Sequence, residues 1–426
     1  MKTAKLKINS QRLQVQLEEL GSIGRNERGG IDRTTFTPAE IEARNWLKKE
    51  LNALGLSVRV DPAANIWAKR EGTDSSLPVI AFGSHIDAVP NGGMYDGALG
   101  VLISLEIMRV LEENGAKTRH PLELVSFSAE EPNPFNVSTL GSRAVAGRLT
   151  QAQILNIYDP NGVSLADALA KAGGDAQKFD SAKRHSEEFA AFLEVHIEQG
   201  KRLIERNIPV GVVTAITGIY REEITVRGEA NHAGTTRMSD RYDALTAASE
   251  LILALEDICL HHPSDEVVGT VGKMTLLPNA ANIIPEKVTF TLEVRGKTQE
   301  EIKEVMVLWQ RRMEEVQTKR GIQVQRRVIL DQPPEAMDPL LMKTCQDAAE
   351  SLGYTTCLLG SMAGHDATHM SALTPTCMLF VPSIHGKSHC PEEESRMKDI
   401  EKVANVLLHT ILRLDQTLNQ AEGAGR

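Results

Sequence analysis

Long apolar runs are missing from this 426-residue sequence. No stretch approaches the roughly 20 apolar residues that span a bilayer, so no association with a membrane is expected. The N-terminal MKTAKLKINSQRLQ carries lysines with no apolar segment behind them, so a secretory signal is not expected. Basic runs are missing too. Net charge is −10 and aromatic residues make up only 4% of the chain, a poor composition for a nucleic-acid surface. Cysteine is scarce: Cys259, Cys345, Cys357, Cys377 and Cys390 are odd in number and contain no CxxC pair. A disulfide framework is therefore not expected, and a reducing cytoplasm is the expected location. Internal repeats, low-complexity blocks and flexible linkers are also absent. What remains is ordinary globular composition, 41% hydrophobic, long enough for two domains.

Helical periodicity predicts helices near Thr37–Leu54, Gly97–Asn114 and Asp399–Leu414. Short apolar runs predict strands at Leu77–Gly83, Leu122–Ser128, Ala191–Ile197 and Cys377–Val381. Strands alternating with helices give an α/β sheet covered on both faces. A different order follows. Strand Tyr220–Arg227, helix Tyr242–Leu260, strands Val267–Leu276 and Lys287–Arg295, helix Gln299–Lys319 and strand Gln323–Leu330 read β-α-β-β-α-β, a compact second domain. The expected division is residues 1–216, an insert over 217–330, and a return to the first domain over 331–426.

Five short segments carry chemistry. Gly83-Ser84-His85-Ile86-Asp87 ends an apolar strand, where ligand sites of open α/β sheets lie. Asp87 is placed to hold the second ring nitrogen of His85. Asp96 stands in a glycine-flanked turn before a helix. Glu130-Glu131 follow a second apolar strand, His196 sits in a third, and Ser388-His389 lie in the loop after a fourth. Each has an ordinary structural reading: a hydrogen-bonded histidine, a helix-capping aspartate, a solvated pair of glutamates. Together they deliver three histidines and three carboxylates, the nitrogen and oxygen donors that suit Zn²⁺, Mn²⁺ or Co²⁺. A carboxylate can bridge two such ions, and one glutamate of an adjacent pair can bind metal while its neighbour moves protons.

The segments GSHIDAVPNGGMYDGALGVL, AEEPNPFNVSTLGSRAVAG, EVHIEQG, GEANHAGTTRM, NAANIIPEKVTFTLEVRG, AGHDATHM and VPSIHGKSHCPEE resemble a family of metal-dependent amidohydrolases. That family includes N-carbamoyl-L-amino acid hydrolase, β-ureidopropionase and allantoate amidohydrolase, within the aminoacylase/carboxypeptidase clan. The motifs run in the family's order across essentially the whole chain. The resemblance implies that His85, Asp96 and His196 hold one divalent ion, that Asp96, Glu131 and His389 hold a second, and that Glu130 is the catalytic base. The larger clan often has an acidic residue where His196 stands, so a histidine there points to the carbamoylase–allantoate branch. The resemblance also places His232, Asn282, Arg295, Gln199 and the Gly364-His365-Asp366 loop at the substrate, with His232 catalytic.

The implied fold is a di-metal peptidase-like catalytic domain with an inserted α+β lid. The resemblance further implies that the lid pairs two copies into a homodimer, with His232 supplied in trans. The implied reaction is hydrolysis of the carbamoyl C–N bond of an N-carbamoyl-L-amino acid or related ureido acid, with allantoate and ureidoglycolate as alternative substrates. Three departures from the family's pattern bear on specificity: Arg237 after Gly-Thr-Thr, the Pro132–Asn136 stretch, and Met362 where a small glycine is common. Other classes remain open: an aminoacylase or dipeptidase on the same metals, or a non-catalytic binding protein. The complete ligand set and Glu130 speak against the last.

Overall fold

A computed structural model describes residues 6–423; the lysines of Met1–Lys5 lie outside them. Among the described residues the strands are β1 (Ser57–Val60), β2 (Ile66–Arg70), β3 (Val79–His85), β4 (Leu122–Phe127), β5 (Phe189–Ile197), β6 (Val210–Ile216), β7 (Gly218–Arg227), β8 (Val268–Leu277), β9 (Lys287–Gly296), β10 (Gln323–Gln332), β11 (Glu335–Ala336), β12 (Thr356–Ser361) and β13 (Thr376–Val381). The chain forms two compact units. One comprises residues 1–214, 337–359 and 365–426; the other comprises 215–336 and 360–364. The short segment 360–364 lies outside the insert expected over 217–330.

The first unit is built on a sheet in the order β1-β2-β4-β3-β5-β13-β6, with β12 and β11 also paired to β6. Its centre decides where a site can form. β3 pairs parallel with β4 and with β5, and β13 pairs parallel with β5. Four neighbouring strands therefore run the same way and deliver their carboxyl ends to one edge. Along β5, Ala191, Leu193, Val195 and Ile197 join the main core cluster, while Glu194 and His196 alternate with them. That cluster draws on helices Ser10–Ser22, Pro38–Ala53, Ala98–Glu113, Pro339–Ser351 and Met397–Gly423. Each large aliphatic side chain buried there contributes roughly 1.5–3 kcal/mol of transfer free energy. A second cluster, from Phe36 through Ala129 and Leu140 to Phe179, packs separately.

Several boundaries differ from expectation by a few residues, and two of the differences have a clear local cause. β3 begins at Val79, not Leu77, because Pro78 has no N–H for a central ladder. It then continues through His85, whose Cα pairs with Phe127, so His85 is the last strand residue. Helix Pro38–Ala53 opens where Thr37 caps the Glu40 N–H and Pro38 supplies a first-turn proline. No helix among the described residues is long and apolar enough to cross a membrane, and all five cysteines are free.

The second unit has the order β7, helix Ala244–Leu260, β8, β9, helix Gln299–Arg320, β10, with an antiparallel sheet β10-β7-β9-β8. β9 alternates strictly. Val288, Phe290, Leu292 and Val294 are buried in the cluster that includes both helices. Thr289, Thr291, Glu293 and Arg295 take the other face.

Candidate metal centre

His85 ends β3, Glu130 and Glu131 follow β4, His196 lies near the end of β5, and His389 stands in the loop after β13. Asp96 sits between β3 and helix Ala98–Glu113. The parallel centre of the sheet thus gathers residues up to 304 positions apart in number, from His85 to His389. They form two groups that share one carboxylate: His85, Asp96 and His196, and Asp96, Glu131 and His389, with the ligand atoms of each group within 4.8 Å of one another. Asp96 divides its oxygens between them. Oδ1 lies 3.1 Å from His196 Nε2 and 3.6 Å from His85 Nε2, while Oδ2 lies 3.5 Å from His389 Nε2. Glu131 Oε1 is 3.2 Å from the same His389 nitrogen. Asp96 is thus placed where one carboxylate could serve both groups.

Neighbouring groups fix these side chains. His85 Nδ1 lies 3.1 Å from the Asp87 carbonyl and 3.5 Å from Asp87 Oδ1, and His196 Nδ1 lies 3.0 Å from the Ile197 carbonyl. Both rings therefore aim Nε2 at Asp96. Asp87, 1% exposed, also accepts the Thr35 hydroxyl and the N–H groups of Glu130 and Glu131, tying one strand end to the next. Gly97 is required by contact as well as by conformation. Its φ is +62°, and an added Cβ would lie 2.2 Å from the His85 ring.

Electrostatics at this edge are lopsided. Burial pushes the Glu130 carboxyl well above the usual range; His85 opposes this, and Glu131, Asp366 and Asp87 add to it. Burial also raises Glu131. Burial opposes ionisation of Asp96, but the three imidazoles hold it well below the usual range. Hydrogen bonds donated to Asp96 and Glu131 push His389 up to about 11. Burial disfavours charged His85 and His196, yet the surrounding carboxylates raise both. A surplus of buried negative charge is costly without cations. Together with nitrogen and oxygen donors in two groups sharing a bridge, it fits a pair of divalent ions. Glu130 Oε2, 3.7 Å from His85 Nε2, stands beside the ligands without belonging to either group.

Gln199 is brought into this cluster: its Nε2 lies 2.6 Å from Asp96 Oδ2, and its buried Oε1 has no hydrogen-bond partner. Of the remaining substrate candidates, His365 and Asp366 belong to the first unit, and His232, Asn282, Arg295 and Gly364 to the second. His232 and Asn282 are neighbours there, with the Ala233 N–H donating to the Asn282 carbonyl and a bridge joining His232 to Ile283. Both are exposed. His232 Nδ1 accepts the N–H groups of Gly234 and Thr235 at 3.0 and 3.2 Å. In the neutral ring the proton is then on Nε2, which is left as a donor. Arg295 lies apart from this pair, on the open sheet face, giving Nε to Glu293 and Nη1 to the Met362 carbonyl. It lines a cavity of about 620 Å³ with Arg221, Lys273, Thr291 and Met362. Gly364 is exposed, with nothing within 4 Å of an added Cβ.

Sequence reasoning named the His365 loop but missed Glu393 and Glu194 beside the two groups. Glu393 is 4% exposed and accepts the N–H groups of Tyr95 and Asp96 on Oε1; burial and Asp96 push it up to about 7. Glu194 accepts the Ser84 hydroxyl and the Ala367 N–H. His365 packs on His196 with ring centroids 4.5 Å apart, and burial first, then His196, hold it well below its usual range. Glu194 alternates with apolar residues in a buried strand, a signal that could have found it. Glu393, in an acidic Pro-Glu-Glu-Glu run, looks solvated.

The chain also resembles known proteins over most of its length. The family model described as peptidase family M20/M25/M40 matches residues 81–413. An N-carbamoyl-L-amino acid amidohydrolase of Geobacillus stearothermophilus is 36% identical over 96% of this chain and 99% of its own length. An allantoate amidohydrolase of Bacillus subtilis is 36% identical over 93% of this chain and 96% of its own. The crystal structure of an amidase of the hydantoinase/carbamoylase family from Burkholderia multivorans superposes with a TM-score of 0.88 at 33% identity, covering 96% of this chain and 98% of that one. With the site's geometry and full-length likeness pointing the same way, the chain belongs to peptidase family M20/M25/M40.

Proposed function

We propose that this protein hydrolyses the carbamoyl C–N bond of an N-carbamoyl-L-amino acid or a related ureido acid such as allantoate or ureidoglycolate. The observation that carries the reading is the Asp96 carboxylate shared between two complete ligand groups, with Glu130 free beside them. It is supported by relatives that act on ureido compounds and are alike over nearly their whole length.

His85, Asp96 and His196 would hold one divalent ion, and Asp96, Glu131 and His389 the other, as Zn²⁺, Mn²⁺ or Co²⁺. Such a pair supplies a lowered water pKa and a Lewis acid for the ureido oxygen, which matters because the ureido carbon is resonance-stabilised and a poor electrophile. Glu130 takes the water's proton and returns it to the leaving nitrogen. Its buried setting suits that exchange. The Nε2–H of His232 donates to the developing oxyanion. Arg295 binds the substrate carboxylate as a fork, with Arg221 and Lys273 keeping the surrounding cavity cationic. Gln199, Asn282 and Gly364 complete the substrate contacts. The carbamate released decomposes to CO₂ and ammonia.

The second unit serves as lid and dimerisation domain, with His232 acting on the partner's substrate. Its edge strand β8 exposes Val268, Met274 and Leu277, and the helix after β7 exposes Leu253 and Leu260, an apolar set that suits a second copy. Mixing His232→Ala with Glu130→Ala protein under subunit exchange tests this. Action in trans returns about a quarter of wild-type activity if sites are independent, and action in cis returns none. The reaction itself is tested by measuring ammonia from a panel of ureido acids and acyl amino acids in the presence of Mn²⁺, Co²⁺ or Zn²⁺. Ammonia from ureido acids supports the proposal. Cleavage of acyl amino acids alone makes the protein an aminoacylase or dipeptidase. The reducing cytoplasm is the proposed location, in keeping with five free cysteines.

A further inference from the structure

The two ligand groups are held in different ways. His85 and His196 lie in strands whose ends are fully buried, and each ring is fixed by a backbone carbonyl on its far nitrogen. His389 has neither support. It sits in the loop between β13 and helix Met397–Gly423, its side chain is 47% exposed and its φ is +58°. Its Nδ1 has no hydrogen-bond partner among the described residues. A loop histidine on a strained backbone needs something else to set its position.

Glu393, four residues on, meets that need. Its Oε1 accepts the N–H groups of Tyr95 and Asp96 at 2.9 and 3.0 Å. Its Oε2 lies 3.0 Å from Ser388 Oγ, which is itself 2.8 Å from Asp96 Oδ2. One carboxylate therefore ties the backbone of the shared ligand to the residue preceding His389. The opposite loop is cleared for it: a Cβ on Gly93 would lie 2.2 Å from Glu393 Oε1. Burying a carboxylate is expensive unless its oxygens are satisfied. Here that satisfaction comes from the two segments whose spacing defines the second group.

We propose that Glu393 is a positioning residue that latches the His389 loop to the Asp96 loop, so that the second ion of the pair depends on it and the first does not. The inference rests on the two-ion reading of the site. The latch acts through Asp96 and His389 and touches no substrate. Its signature is selective: removing it weakens the group that takes a ligand from the loop and spares the group anchored on strands.

The test is stepwise calorimetric titration of Co²⁺ into chelator-stripped protein, with elemental analysis of the product. Wild type is expected to take up two ions per chain. Glu393→Ala should keep its first affinity within about threefold and lose at least about tenfold in the second, equivalent to about 1.4 kcal/mol. Glu393→Gln should recover most of the loss, because its amide oxygen still accepts the two N–H groups and its NH₂ can donate to Ser388 Oγ. Equal affinities in wild type and Glu393→Ala, or a parallel fall in both steps, would overturn the latch. If Glu393→Ala does not fold, Ser388→Ala carries the test: it removes one end of the latch and should weaken the second step alone. An unchanged second step there would overturn the proposal. Uptake of fewer than two ions by wild type would instead reject the two-ion reading itself.

Discussion

The two units offer functional groups built to opposite specifications. In the first, His85, Asp87 and His196 are each 1% exposed, and both of these rings are oriented by a backbone carbonyl. In the second, His232 and Asn282 stand on exposed turns and Arg295 lines an open cavity. The difference separates two tasks. Groups that hold ions and move protons gain from a fixed, water-poor setting, where electrostatic effects are large. Groups that admit and release a substrate must be reachable. On this view, damage in the first unit removes turnover whatever the substrate, and damage in the second depends on what the substrate offers.

Glu130→Gln should have the largest effect, lowering kcat by about 10²–10⁴-fold while two ions stay bound. Glu131→Gln should lose activity together with an ion. Metal analysis of the two proteins checks this, and reversed ion counts would break the assignment of the pair. His232→Ala should follow, lowering kcat by about 10²–10³-fold, the usual effect of losing one oxyanion donor, with both ions retained. If it lost metal as well, the division of labour between the units would fail. Arg295→Lys should lower kcat/KM by about 10- to 100-fold, because lysine cannot form the fork. The loss should vanish for an analogue whose carboxylate is a neutral amide. An equal loss on both compounds would make Arg295 structural.

The smallest effect concerns pH and sharpens what burial means in the first unit. His369 is held down to about 3 by burial, with Arg148 and Arg143 adding to it. A folded-state pKa below the unfolded value of about 6.5 means that the unfolded chain binds the extra proton between those values. The stability His369 contributes is therefore complete above pH 6.5 and is lost as pH falls toward 3. His369→Gln should flatten the decline of the melting temperature across that window, measured on metal-stripped protein. An identical decline would show that other groups control it.

Much of the fold and of the site was legible, for reasons that differ by element. β5 and β13 were readable because strands buried on both faces form short apolar runs. The second unit was readable because β9 alternates cleanly and Thr298 begins its helix with a capping box. β1 was not legible: its four residues are short and half exposed, and it takes its form from pairing with β2. The residues that gather in the two groups were legible as candidates because strand ends and a glycine-flanked turn mark them in sequence. Glu393 was not, because its partners are the N–H groups of residues 95 and 96, nearly 300 positions away, and backbone donors leave no trace in sequence. Which donor reaches which oxygen of Asp96 is likewise a matter of folded geometry.

Reconstitution tests most directly whether this chain hydrolyses ureido acids with two ions. Chelator-stripped protein would be titrated with Mn²⁺ or Co²⁺ while ammonia release from N-carbamoyl-L-amino acids, allantoate and ureidoglycolate is recorded against bound metal. The account predicts no ammonia without metal and activity that reaches its plateau at two ions per chain. Undiminished ammonia release by protein shown to be metal-free would contradict it.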